Sequence, residues 1–131
     1  LTEEEIRLRR FYRKLIRLGN RENALREGLF YDLMYANYEN PNFNSMKQYA
    51  FIRGDYKDFL LVISNFSNEN EEVTVWIPDH AYDFFKVNKH EKAIAVPLLS
   101  EEKFPIDFSR TMPLKVKIKA HDGEIYKISF L

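Results

Sequence analysis

At 131 residues the chain is the size of one domain, and its 20 Lys plus Arg balance 20 Asp plus Glu for a formal net charge of zero. Hydrophobic residues at 45% and charged residues at 31% are a globular balance that argues against disorder, and 15% aromatics are enough to fill a core. The absence of cysteine excludes disulfides, thiolate zinc sites, iron–sulfur clusters and Cys nucleophiles, and leaves the compartment undetermined. Neutral charge argues against a dedicated nucleic-acid binder. No apolar run approaches the roughly 18–20 residues of a membrane span. The chain opens at Leu1 without a Met or a leader-like segment, and so reads as a piece of a longer protein with no targeting information.

Residues 2–18 read as an amphipathic helix. Thr2 and Glu5 fit a capping box, and Glu3, Glu4 and Glu5 complement the positive end of the helix dipole. Leu8, Phe11, Tyr12, Leu15 and Leu18 form one apolar stripe about 120° wide. Arg7, Arg9, Arg10, Arg13, Lys14 and Arg17 cover the opposite side. They read as a solvated face, with phosphate contact the sharper alternative. Gly19 is placed to end the helix in the left-handed conformation.

Beyond Gly28 the period becomes that of strands. Leu29–Tyr35 reads as a strand, 37–45 as an Asn- and Pro-containing loop, and Lys47–Arg53 as a strand ending at the Gly54-Asp55 turn. Phe59–Asn65 is a nearly continuous apolar run, expected of a strand covered on both faces. Glu72–Ile77 alternates, with Val73, Val75 and Ile77 on one face and Thr74 and Trp76 on the other. Pro78 stops it, and Asp79 would cap a short helical turn through Phe85. Lys92–Leu99 and Phe104–Phe108 are weaker strands, followed by two strongly alternating ones, Leu114–Ala120 and Tyr126–Phe130. A three-residue loop, His121-Asp122-Gly123, would join these two as a hairpin, pairing Ile118 with Tyr126, Val116 with Ile128 and Leu114 with Phe130. Gly123 would then be a left-handed bulge residue. The whole reads as mainly β: an antiparallel, Greek-key-like sandwich of seven or eight strands preceded by one helix. The domain boundary falls within 19–27, so that 1–20 is a helical appendage and 21–131 the sandwich.

Candidate chemistry is sparse. His80, His90 and His121 are scattered, which argues against a zinc site. No Ser sits in a nucleophile elbow, and the four glycines are isolated, so no phosphate-cradling loop is evident. Carboxylate runs such as Glu69–Glu72 and Glu101-Glu102 read as solvated turns. Arg53-Gly54-Asp55 spells an integrin-type tripeptide but reads first as a turn, and Asn65-Phe66-Ser67 spells a glycosylation acceptor after a buried strand. Trp76, with Tyr82, Phe84 and Phe85 close behind, is a candidate for stacking on a sugar, against the plainer reading that it packs on another layer. No residue is assigned a catalytic or metal-binding role.

Two stretches carry a family resemblance. Residues 11–18 (Phe-Tyr-Arg-Lys-Leu-Ile-Arg-Leu) with 23–28 (Asn-Ala-Leu-Arg-Glu-Gly) resemble the segment joining the last barrel helix of alpha-amylase family glycoside hydrolases to their C-terminal domain. Residues 60–67 (Leu-Leu-Val-Ile-Ser-Asn-Phe-Ser) with 73–78 (Val-Thr-Val-Trp-Ile-Pro) are similar to that domain's strand, Asn-Phe-Ser, strand, Pro signature. Gly19 and Asn23 depart from the pattern, where the family often has Arg and Pro.

The resemblance implies a (β/α)8 barrel carrying an Asp nucleophile, a Glu acid/base and a further Asp outside these residues, with this chain supplying the last barrel helix and a non-catalytic β-sandwich that stabilises and shields the barrel. Calcium would belong to the barrel, leaving no cofactor here. The implied partner is that barrel, met through Leu8, Phe11, Tyr12, Leu15 and Leu18. In the isolated chain the same stripe would fold back on the sandwich or meet a second copy. The alternative function is a module binding starch-like alpha-glucan through Trp76 and Tyr82, and a generic adhesion or scaffold sandwich ranks behind both.

Overall fold

The computed structural model describes residues 1–87, 92–100 and 104–130. Helix α1 spans Glu3–Arg21, with the Thr2 hydroxyl accepting the Glu5 N–H at 3.1 Å. Gly19 does not end it. The helix runs two residues further, and its C-cap is Glu22 in an extended conformation. A short helix, α2 (Asn23–Arg26), leads into β1 (Leu29–Asp32), which is shorter than expected. There the Asp32 side chain accepts the Met34 N–H at 3.2 Å and turns the chain into α3 (Met34–Asn37). Strands β2 (Gln48–Gly54), β3 (Phe59–Asn65) and β4 (Glu71–Val75) follow, then α4 (Asp79–Phe84) and strands β5 (Lys92–Pro97), β6 (Ile106–Ser109), β7 (Leu114–Ile118) and β8 (Asp122–Phe130).

The strands form a six-stranded antiparallel sheet, β1-β2-β3-β8-β5-β6, and a two-stranded sheet, β4-β7. One apolar core joins them. Ile52, Leu61, Ile63 and Ile128 from the large sheet meet Val73, Val75, Val116 and Ile118 from the small one, with Tyr82 and Phe85 of the α4 segment closing an end. A second, smaller core lies on the outer face of the large sheet. Phe11 and Leu18 of α1 and Ala24 of α2 cover Leu60, Val62 and Ile125. This explains why β3 is buried at every position: the large sheet is sandwiched twice.

The expected β7–β8 hairpin is not formed. β7 pairs with β4, setting Val116 opposite Val73 and Leu114 opposite Val75. β8 lies between β3 and β5, with Tyr126 opposite Leu61 and Pro97. The chain crosses from one sheet to the other at 119–121, and the left-handed residue at this corner is His121 (φ 51°), not Gly123. Alternation specifies which face of a strand is buried, and both arrangements bury the same faces. Gly123 is required for a different reason. A β-carbon there would stand 2.4 Å from the Phe11 ring and 2.7 Å from the Ile63 carbonyl oxygen.

Candidate functional site

Trp76 directly follows β4, and its backbone is clamped on both sides by one buried side chain. The Asn37 amide oxygen accepts the Trp76 N–H at 2.8 Å, and the Asn37 amide nitrogen donates to the Trp76 carbonyl at 3.1 Å and to Leu33 at 2.8 Å. Asn40 continues the pattern. It donates to the Thr74 carbonyl at 2.8 Å and accepts the Thr74 hydroxyl at 3.0 Å, while the Asn42 carbonyl accepts the Thr74 N–H at 3.0 Å. The Asn-rich loop thus acts as a substitute neighbour along the edge of β4 that β7 does not cover. Trp76 is left half-buried on this rigid edge, with Val73, Val75 and Ile77 buried on the opposite side.

Tyr82 is elsewhere in character. Only 1% exposed, it is stacked on Phe59, meets Phe130 edge-on, and is covered by the Arg110 guanidinium 4.2 Å from its ring centre. Burial pushes its phenol up to about 12. Its ring is enclosed by the protein and presents no free face on which a sugar ring stacks, so Trp76 and Tyr82 do not form a joint platform.

The short sequence motifs resolve into structure. Asn65 is fully buried, and its amide nitrogen donates to the carbonyls of Glu69, Ile118 and Lys119 at 3.0–3.3 Å, while its oxygen accepts from Gln48 and the Ser67 N–H at 3.1 Å. It fastens the end of β3 to the β7–β8 corner, and no amide nitrogen is available for a glycan. In Arg53-Gly54-Asp55, Arg53 donates to the Gly28 carbonyl at 2.7 Å and Gly54 is buried within β2. The Asn23 amide and the backbone N–H groups of Asp58 and Lys57 hold the Asp55 carboxyl below its ordinary range. All three residues are engaged within the fold.

The ionisable groups that sequence reading missed are Glu124 and Tyr31. Glu124 is 7% exposed, and its two oxygens accept the N–H groups of Leu99, Ser100 and Ile125 at 2.8–3.1 Å. Burial raises its pKa against the pull of those donors. The buried Tyr31 hydroxyl bonds to Tyr35 and, at 2.7 Å, to His80 Nδ1. Desolvation raises its pKa as well. His121 Nε2 lies 2.8 Å from Asn68 Oδ1 and 3.6 Å from Glu4 Oε1 at the start of α1. His90 and the Glu101-Glu102 pair lie outside the described residues. Among the described residues no three His, Asp or Glu side chains are grouped so as to hold a metal ion, and no helix is long and apolar enough to cross a membrane. Nothing in the sequence flagged Glu124, because burial of a lone carboxylate depends on where the 98–100 segment returns.

No family model and no curated protein matches the sequence. Solved structures do share its fold. The alpha-amylase from Geobacillus thermoleovorans superposes with a TM-score of 0.56 at 16% identity, over 86% of this chain and 20% of that enzyme. Isomaltulose synthase from Erwinia rhapontici gives 0.52 at 22% identity, over 90% and 17%. The trehalulose synthase MutB gives 0.53 at 24% identity, over 91% and 17%. This chain therefore has the fold of a region that makes up about a fifth of these enzymes' length.

Proposed function

We propose that this chain is the non-catalytic C-terminal β-sandwich of an alpha-amylase family glycoside hydrolase, and that it stabilises and shields a catalytic barrel lying outside these residues. The observation that carries the reading is the fold: about nine-tenths of the chain is matched by about a fifth of enzymes that include an alpha-amylase. The order of the 11–18, 23–28 and 60–78 motifs supports the same family.

The surface for the barrel differs from the stripe read in the sequence. Phe11 and Leu18 are spent on the outer face of the large sheet, with Leu8 and Leu15 half-buried. The apolar groups left open on α1 are Ile6 at 37%, Tyr12 at 44% and Ile16 at 67% exposure, with Arg9 and Arg13 beside the last two. Tyr, Ile and Arg together are a composition suited to a desolvated contact between domains. In the longer enzyme, Ile16→Glu is expected to lower the melting temperature of the barrel while leaving this chain's own stability within about 0.5 kcal/mol, as for other exposed sites. Incubation of the isolated chain with starch is expected to release no reducing ends. Release of reducing ends, or no effect of Ile16→Glu on the barrel, overturns the proposal.

Glucan binding is the second reading, and it rests on Trp76 alone. The partly exposed indole on a clamped strand edge favours it. Titration with maltooligosaccharides would then shift the fluorescence of this single tryptophan, and an unchanged spectrum removes the reading.

A further inference from the structure

Arg10 and Lys14 line one wall of a cleft of about 760 Å³, and Lys117 and Lys119, at the end of β7 and just beyond it, line the other. Among the described residues none of these four cations takes part in an ion pair, whereas the neighbouring Lys115 is paired with Glu72 at 3.5 Å. Two carboxylates also line the cleft, and both are already engaged by backbone. Glu124 is saturated by three N–H groups, and Asp122 accepts the Gly123 N–H at 2.8 Å. Four cations against two carboxylates leave this concavity with an excess of positive charge, a field that attracts anions.

We propose that this cleft, between α1 and the corner joining β7 to β8, is a binding site for a compact multivalent phosphate anion. The guanidinium of Arg10 matches two oxygens of one phosphate, while the three lysines act as point charges that tolerate varied geometry. A concavity of this volume is in the range of small-molecule sites and suits a short ligand better than a flat macromolecular surface. Inorganic pyrophosphate and a phosphorylated hexose present the same chemistry from two sources.

The test titrates the full chain at low ionic strength with pyrophosphate and, separately, with glucose 6-phosphate, reading heat by calorimetry and the melting temperature in parallel. Saturable one-to-one binding of at least one of the two is expected, with affinity falling as salt rises. The tighter ligand identifies the source. Lys117→Gln/Lys119→Gln and Arg10→Gln/Lys14→Gln should each weaken binding roughly tenfold or more, since each removes two facing charges. Lys115→Gln should leave it unchanged. All five side chains are exposed, and unchanged circular dichroism would verify the fold of each variant. Absence of saturable binding, or binding that survives both double variants, overturns the proposal. So does binding that appears only in Glu101→Gln/Glu102→Gln, because the anion for the cleft would then be the chain's own.

Discussion

Gly123 and Glu124 stand side by side on β8, and each fixes a close approach of a different kind. Gly123 admits the Phe11 ring and the Ile63 carbonyl to within 2.4 and 2.7 Å of where a β-carbon would stand, so Gly123→Ala forces the ring, and α1 with it, away from the sheet. Overpacking of this sort costs about 1–3 kcal/mol. A lower denaturant midpoint with an unchanged m-value would verify it. Glu124 acts through charge. Its folded pKa is raised above the ordinary 4.5, so the folded state binds the proton more tightly than the unfolded chain does. Its contribution is therefore full below about pH 4.5 and is lost as pH rises through the folded pKa. Comparing stability against pH for the native chain and Glu124→Gln should show this loss in the former and not in the latter. Equal slopes would mean that Glu124 titrates normally.

The loop of 37–42 does the work of a strand for β4. Asn37 and Asn40 supply side-chain amides in the register that a neighbouring backbone would otherwise provide. Asn37→Ala leaves the Trp76 N–H and the Leu33 and Trp76 carbonyls without their partner, and unpaired buried groups cost about 1–3 kcal/mol each. The expected result is a loss of at least about 2 kcal/mol, with faster amide exchange confined first to β4. Uniform exchange along both sheets would contradict this role. The same loop shows what sequence reading could reach. The bounds of β3 and the nature of β2, β4 and β7 followed from periodicity, because burial of one or both faces leaves a period in the residues. Partners leave no such trace. Leu114–Ile118 has the same alternation whether it lies beside β8 or β4, so periodicity alone does not separate a hairpin from the crossing that exists. The clamping roles of Asn37 and Asn65 depend on groups up to 54 residues away, and the enclosure of Tyr82 depends on Arg110 returning over its ring.

For the molecule as a whole, α1 is part of the fold and not a loose appendage. It covers Leu60, Val62 and Ile125. Lys127 pairs with Glu22 at its far end at 3.9 Å, and Glu4 near its start lies 3.6 Å from His121. Removing residues 1–21 exposes an apolar sheet face, at about 25 cal/mol per Å² of surface returned to water. The shortened chain is expected to bind a hydrophobic dye and to aggregate at concentrations where the full chain stays dispersed. A dispersed, dye-silent product would show that the sandwich is self-sufficient.

The seat of β8 between β3 and β5 carries a consequence for biosynthesis. One of the two central strands of the large sheet is thus the last of its elements to leave the ribosome. Until it emerges, β3 and β5 have no common neighbour, and the nascent polypeptide must wait with two bare strand edges facing an empty slot. Premature termination anywhere before residue 122 removes the keystone instead of a fringe. Such truncated products are substrates for chaperones and proteases, not miniature sandwiches.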